Sequence, residues 1–167
     1  MLIRRIHEPT ALARQCDVIA RIRCGRIVMR SGVLDRIESH WMRHPVSVAQ
    51  VWWQQHFARD EGDQCMLDFH IPRGMPRFIT LDYIRSGRGT SYRTFLGACR
   101  VLDEVARRRS SLAIVAHLTN QQLSDRLMTR LGWHRHMPHW PGRHFIRRFY
   151  DGHPDPKIDR YLTPVMD

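Results

Sequence analysis

The stretch from residue 85 to residue 133 constrains the fold most, because helical and strand patterns alternate along it without a break. It begins with a Gly-rich turn, Gly87-Arg88-Gly89-Thr90, and continues as a helix that Thr90 or Ser91 caps. The apolar residues of that helix recur about one turn apart, at Phe95, Cys99, Leu102 and Ala106. The stretch therefore predicts a turn that leads directly into an amphipathic helix.

A buried strand and a second helix complete this stretch. The continuous apolar run over residues 112–118 is typical of a strand covered on both faces, and Asn120 ends it. Residues 121–130 predict a second helix, with Gly132 as its C-cap. A turn, a helix, a strand and a helix in this order indicate an α/β domain.

The rest of the chain predicts further strands and helices around this unit. Strands are predicted at residues 2–6, 65–71, 78–84 and 145–150. Helices are predicted at residues 11–23, 33–44 and 47–57. The proline-containing tail, residues 151–167, is expected to pack loosely. The sequence thus predicts one domain over residues 1–150, followed by a tail.

The composition indicates a soluble globular protein. The chain has 167 residues, 43% of them hydrophobic, and it lacks the run of ~18 apolar residues that a membrane helix needs. Its four cysteines, Cys16, Cys24, Cys65 and Cys99, are far apart, and no signal-peptide pattern opens the chain. We therefore expect a cytoplasmic protein with reduced thiols and no membrane contact, and the sequence predicts no particular oligomeric state.

The charge of the chain favours an anionic partner. The formal net charge is +11, and it comes almost entirely from arginine, since Lys157 is the only lysine. A charge of this size attracts a phosphorylated cofactor, a nucleic acid or an acidic protein, and it does not distinguish between them.

The Gly-rich turn is a candidate phosphate site. A turn of this kind before a helix presents backbone N–H groups and the partial positive charge of the helix start to an anion. Arg85 and Arg88 add fixed positive charge at the same place. An ordinary structural turn would explain the same glycines, so the turn alone does not decide between the two interpretations.

The order of elements over residues 78–150 resembles the core of the GNAT acyltransferase superfamily. A strand, a basic Gly-rich turn, a long helix, a buried strand, Asn120, a short helix and Leu131-Gly132-Trp133 follow one another as in that family. The resemblance implies a mixed, largely antiparallel sheet with helices on both faces. It also implies an N-acyltransferase, or a degenerate relative of one, that uses acetyl-CoA or another acyl-CoA as cosubstrate and acylates an amine.

The resemblance also implies where the cosubstrate binds. In that family the turn holds the pyrophosphate through backbone N–H groups, and the asparagine lies where two central strands separate and the pantetheine arm enters. The implied cofactor-binding residues are Arg85, Gly87, Arg88, Gly89, Thr90, Ser91 and Asn120. The family turn is usually Q/R-x-x-G-x-G/A, and here the spacing from arginine to glycine is one residue off.

Chemistry in that family requires a base for the amine and sometimes an acid for the leaving thiolate. The candidate bases on the predicted strands are Asp68, His70 and Asp82. The acid is commonly a tyrosine at the position that Met128 occupies here, and a thioether cannot donate a proton. Either Tyr83 or Tyr92 takes that role, or the chain has no such acid.

Residues 134–150 combine histidine, arginine and aromatic residues. The histidines suit a metal such as zinc, but no carboxylate or thiol lies nearby in the sequence, so a basic hairpin is favoured and no metal is predicted. These histidines are His134, His136, His139 and His144. The arginines, with Trp133, Trp140, Phe145 and Tyr150 among them, match either a base-stacking surface or core packing. The alternative function is therefore a non-enzymatic basic module that binds nucleic acid or an acidic protein.

Overall fold

The computed structural model describes residues 4–6, 16–40, 62–87, 89–118 and 123–162. The strands are β1 (Arg4–Ile6), β2 (Cys24–Arg30), β3 (Val33–His40), β4 (Gln64–His70), β5 (Phe78–Ser86), β6 (Ala113–Leu118), β7 (His134–Arg135) and β8 (Arg143–Arg148). The helices are α1 (Cys16–Arg21), α2 (Tyr92–Arg108) and α3 (Asp125–Arg130), and a short 3-10 helix covers Ile158–Tyr161.

All the described strands belong to one sheet, in the order β1-β3-β2-β4-β5-β6-β8-β7. Every neighbouring pair is antiparallel except β5 and β6, which run parallel and are connected through α2. A parallel pair needs such a crossover, whereas the other neighbours do not. The fold is therefore α/β with a mixed, largely antiparallel sheet.

Helix α2 covers the centre of the sheet. Ser91 caps it, with the Ser91 hydroxyl accepting a hydrogen bond from the Thr94 N–H, as the sequence predicts. Its apolar stripe, which includes Phe95, Val101 and Leu102, is buried in one continuous core and packs on β2 and β4. The helix is thus fixed in place by both its cap and its apolar face.

The helix predicted at residues 33–44 is wrong, because residues 33–40 form β3. Ser31 and Gly32 both have positive φ, at 48° and 75°, and they join β2 to β3 as a tight hairpin. A bulge then makes Asp35 an extra residue opposite the Val28–Met29 step. The bulge resets the alternation, so Leu34 and Ile37 are both buried at a spacing of three that imitates a helix.

Two further expectations change. The strand predicted to be covered on both faces is open at its end, where His117 is exposed. The tail was expected to pack loosely, but its described part, which ends at residue 162, is packed against the domain. Ile158 and Tyr161 are buried, and the Tyr161 ring lies against Gly97 of α2. A glycine at position 97 leaves room for that ring, since a Cβ there would come within 2.8 Å of it.

The other predicted elements are recovered, some of them with different limits. The strands near residues 65–71, 78–84, 112–118 and 145–150 are present, and Gly132 has a φ of 81° just after α3. Described residues of the helices predicted at 11–23 and 121–130 are helical from Cys16 and from Asp125. The helix predicted at residues 47–57 lies outside the described residues.

A buried ion pair ties α2, α3 and β8 together. The Arg147 guanidinium donates to both carboxylate oxygens of Asp103, at 2.7 and 3.0 Å, and to the carbonyl of Leu131. Both side chains are less than a tenth exposed. Burial raises the pKa of Asp103 above its usual value, although the charge of Arg147 acts in the opposite direction. The pair is therefore held in a region where an unpaired charge would be costly.

Removing one member of this pair is expected to destabilise the protein strongly. Arg147→Met removes both hydrogen bonds to the buried Asp103 and leaves it with the longer contact to Arg100, at 3.6 Å. We expect the free energy of unfolding to fall by about 3–5 kcal/mol. Arg148 is the next residue and is exposed, so it provides a control. Arg148→Met is expected to change the free energy of unfolding by no more than about 0.5 kcal/mol. Urea unfolding measures the free energy of unfolding of both variants. The double variant Arg147→Met/Asp103→Leu is expected to recover part of the stability lost in Arg147→Met. An Arg147→Met variant as stable as the Arg148→Met variant would contradict the role of the pair.

Candidate functional site

The two parallel strands separate in the middle of the sheet. Pairing between β5 and β6 covers Phe78–Leu81 opposite Ala113–Ala116 and ends there. Strand β5 nevertheless continues to Ser86 and β6 continues to Leu118. A gap therefore opens between the ends of two neighbouring strands, and gaps of this kind at the carboxyl ends of parallel strands are common ligand sites.

A bulge in β5 explains the separation. Opposite β4, Asp68 pairs with Tyr83 and the next residue pairs with Leu81, so Asp82 is the extra residue. A bulge bends its strand and increases the local twist. Because the bulge follows immediately after the last residue paired with β6, the remainder of β5 stays with β4 and leaves β6.

The bulge places Asp82 against His70. The Nδ1 atom of His70 lies 2.7 Å from a carboxylate oxygen of Asp82, and the two side chains are 15% and 19% exposed. A carboxylate at one ring nitrogen fixes the orientation of the imidazole and favours a proton on that nitrogen, so the opposite nitrogen, Nε2, is left with its lone pair. Two of the three candidate bases thus form one hydrogen-bonded unit beside the gap.

Asp68, the third candidate base, is engaged elsewhere. Both of its carboxylate oxygens accept hydrogen bonds from Arg26, at 2.6 and 3.0 Å. Arg26 lies on β2 directly opposite Asp68, and this two-pronged contact is the strong form of a charged hydrogen bond. Asp68 therefore acts as the partner of a fixed cation, and both of its carboxylate oxygens are engaged by that contact.

The tyrosines and Met128 occupy three different environments. Tyr83 is partly buried and pairs with Asp68, directly after the bulge at Asp82. Tyr92 is 58% exposed at the first residue of α2. Met128 is only 2% exposed and belongs to the core. Met128, at the position where the resembled family commonly has its acid, therefore faces the protein interior.

The Gly-rich turn is held by one internal hydrogen bond and by contacts to the turn before β4. The Thr90 hydroxyl donates to the Gln64 carbonyl at 2.6 Å, and the Thr90 N–H donates to the Gly87 carbonyl at 3.1 Å. Gly89 packs on Gly62, whose carbonyl oxygen would lie 3.1 Å from a Cβ at position 89. Gly89 thus serves a close backbone approach between two turns.

A carboxylate of the protein occupies the start of α2. Asp63 accepts hydrogen bonds from the N–H and the hydroxyl of Ser91, both at 2.8 Å. Partial burial acts to raise the pKa of Asp63, but hydrogen bonds from Thr94 and Ser91 outweigh it and hold the pKa below its usual value. The sequence gives no signal for this contact, because 28 residues separate the partners.

The remaining predicted cofactor residues are divided between the described and undescribed parts of the chain. Arg85 lies near the end of β5, opposite Met66, and is partly buried. Gly87 follows β5 directly. Arg88 and Asn120 lie outside the described residues. The structure thus brings Arg85, Gly87 and Gly89 to the end of the same strand that carries Asp82.

The thiol of Cys65 is unsuited to act as a nucleophile. Burial raises the pKa of Cys65 to about 12, with a smaller contribution from Asp63. Cys65 and Cys99 form no disulfide. A thiol that stays protonated at neutral pH reacts slowly, so Cys65 is structural.

The histidine-rich segment forms the predicted hairpin. Strands β7 and β8 pair antiparallel, with His134 opposite Ile146. Among the described residues, no group of three or more histidine, cysteine or carboxylate side chains is arranged to hold a metal ion. The hairpin also contacts His117, at the end of β6, which the sequence does not single out. The His117 ring stacks on His144 with 4.3 Å between ring centroids.

The aromatic residues of this region mostly pack in the core. Trp133, Phe145 and Phe149 are at most 5% exposed. Trp140 and Tyr150 are each 58% exposed, but they lie beyond opposite ends of β8. Exposed rings at opposite ends of a strand do not form the continuous stack that nucleic-acid surfaces use.

Comparison of the chain with protein family models, with curated proteins and with solved structures finds no match. Within the part of the chain that the structure describes, no helix is long and apolar enough to cross a membrane.

The contact between Asp63 and Ser91 predicts a pH-dependent contribution to stability. A carboxylate at a helix start stabilises the helix by roughly 0.3–1 kcal/mol, so Asp63→Asn is expected to lower the free energy of unfolding by about 0.5 kcal/mol at neutral pH. Because the folded pKa lies below the usual 3.8, the contribution is present above that value and disappears as the pH falls through the folded pKa.

Urea unfolding of the wild type and of Asp63→Asn, at neutral pH and near pH 2, measures this dependence. Asp151→Asn is the matched control, since Asp151 is exposed. An equal difference between wild type and Asp63→Asn at both pH values would show that the charge of Asp63 is not the cause.

Proposed function

We propose that the protein is an N-acyltransferase of the GNAT type, which uses acetyl-CoA or another acyl-CoA to acylate an amine. The observation that carries the proposal is the gap between β5 and β6, with a bulge at Asp82 and the unit formed by His70 and Asp82 at its edge. This arrangement combines a slot between parallel strands with a candidate base beside it. The resemblance in element order supports the same assignment, including helices on both faces of the sheet.

The gap fits an extended thioester arm. Strand edges that have lost their partner present backbone N–H and C=O groups, and an amide-containing arm can pair with them as a further strand does. At the turn, Gly87, Gly89 and Arg85 would hold the diphosphate. The N–H of Ser91 is already paired with Asp63, so the diphosphate site is shifted away from the cap of α2.

A bound acyl-CoA supplies an acyl group activated as a thioester, so that the amine nitrogen forms a bond to the acyl carbon as the bond from that carbon to sulfur breaks. The nitrogen then carries a surplus proton, which we assign to His70 Nε2 as the acceptor. Asp82 stabilises the resulting imidazolium through Nδ1, which lies 2.7 Å from its carboxylate. Asp68 remains paired with Arg26 throughout.

The proton on the leaving sulfur comes from a different group. Met128 cannot provide it, because it is buried and carries no acidic proton. Tyr83 follows the bulge directly and is the better candidate of the two tyrosines, since Tyr92 lies exposed at the start of α2. Protonation by water reaching the gap gives the same products, coenzyme A thiol and amide.

Binding of coenzyme A is the first expected outcome. At a concentration 100 times the dissociation constant, the cosubstrate should stabilise the fold by about 2.7 kcal/mol, which raises the melting temperature by several degrees. Differential scanning fluorimetry with coenzyme A, and with adenosine alone as the control, measures this shift.

No shift with coenzyme A would count against the proposal. A shift with single-stranded RNA instead, lost steeply as the salt concentration rises, would favour the alternative of a basic nucleic-acid-binding module.

Replacement of the base tests the chemistry separately from binding. His70→Gln is expected to lower kcat for acetyl transfer by about 10²- to 10⁴-fold, and Asp82→Asn to lower it less, because the imidazole remains. Both variants should keep the shift in melting temperature caused by coenzyme A. His139→Gln, at an exposed position in the hairpin loop, serves as the control that keeps full activity. A His70→Gln enzyme with unchanged kcat would remove His70 from the mechanism.

A further inference from the structure

The side of the gap opposite His70 carries a flat aromatic surface. His117 follows Ala116, the last residue of β6 that pairs with β5, and its side chain is exposed. Its imidazole stacks on that of His144, with an interplanar angle of 11° and 4.3 Å between centroids. The stack uses one face of the His117 ring, and the residue remains exposed to solvent.

The direction of the other face of this ring follows from the register. His117 and His144 are direct partners across β6 and β8, so the axis of the stack runs across the sheet. Strand β8 lies on one side of β6 and β5 lies on the other. The outer face of the His117 ring is therefore turned toward β5, at the level where β5 has separated from β6.

The unit of His70 and Asp82 lies on the same face of the sheet as His117. His70 is the partner of Thr80, and Thr80 is the partner of Val115, so these three residues share one face. His117 is two residues beyond Val115, and alternate residues of a strand point to the same side. A molecule in the gap thus has the base on one side and the His117 ring on the other.

The hairpin loop holds the stack in place. The Nε2 atom of His144 lies 3.0 Å from the Pro141 carbonyl, and the Trp140 ring meets His144 edge-on at 6.1 Å. Gly142 passes so close to His117 that a Cβ at that position would come within 2.3 Å of His117 Nε2. The His117 ring is therefore positioned before any ligand binds, which reduces the entropy lost on binding.

We propose that the amine acceptor carries a planar aromatic or heteroaromatic ring, which stacks on the outer face of His117 and directs its amino group toward His70. This inference rests on the proposed acyl transfer. A saturated ring of the same size would fill the same space without the offset stacking geometry that two π-systems favour. His117 is thus a residue that determines acceptor specificity, and it takes no part in the bond changes.

Acceptor preference tests the inference through two amines of the same carbon skeleton, 2-phenylethylamine and 2-cyclohexylethylamine. With acetyl-CoA as donor, kcat/KM of the wild type is expected to favour the aromatic amine by roughly 2- to 10-fold. His117→Ala should abolish that preference, because kcat/KM for the aromatic amine falls more than kcat/KM for the cyclohexyl amine. His117→Phe should retain the preference, because the ring is kept. No preference in the wild type, or an equal loss for both amines in His117→Ala, would overturn the inference.

A binding measurement on the wild type separates this inference from the proposed function. Addition of 2-phenylethylamine should shift the His117 ring proton signals in the NMR spectrum through the ring current, and addition of 2-cyclohexylethylamine should leave them nearly unchanged. If coenzyme A stabilises the protein and the aromatic amine gives no such shift, the acceptor assignment is wrong and the acyltransferase proposal stands. If the shift occurs and coenzyme A has no effect, the proposed function fails and the stacking site remains.

Discussion

The single extra residue in β5 is the constraint on which the described site depends. Without Asp82 as a bulge, β5 and β6 would be free to continue as a paired parallel ladder, and the sheet would be closed where it is now open. The same bulge turns the Asp82 carboxylate toward His70. The opening and its candidate base thus have one geometric cause, since a bulge both ends pairing and redirects a side chain.

Some of the arginines join distant parts of the fold. Arg147 joins α2, α3 and β8 through Asp103 and the Leu131 carbonyl, and Arg26 holds Asp68 across two strands. Arg109 donates to backbone carbonyls at the end of α1. The planar guanidinium suits such multiple contacts better than an ammonium group. Arg26 and Arg147 are each paired with a carboxylate, so the net charge of +11 comes from other arginines, many of which, such as Arg148, are exposed.

The sequence predicts those features of the fold that depend on residues close to one another in the chain. The cap at Ser91 and the apolar stripe of α2 are visible in the sequence because all their partners lie within a few turns or on one face. The strand at Val33–His40 was predicted as a helix because a bulge restores an apolar spacing of three. His117 was hidden in an apolar run, since its exposure depends on where β5 departs. Contacts between residues that are far apart in the sequence produce no periodic pattern from which they could be predicted.

The contacts around the start of α2 link this corner to the order in which the protein folds. Asp63 lies 28 residues before Ser91, and the Gly32 N–H donates to the Thr94 hydroxyl across 62 residues. Closing loops of this length costs conformational entropy that the other contacts of β2, β3 and β4 help to offset. Helix α2 has the local propensity to form early, whereas the Gly-rich turn takes its final geometry only in the completed sheet. We therefore expect a nascent chain to form the long helix before the Gly-rich turn reaches its final geometry.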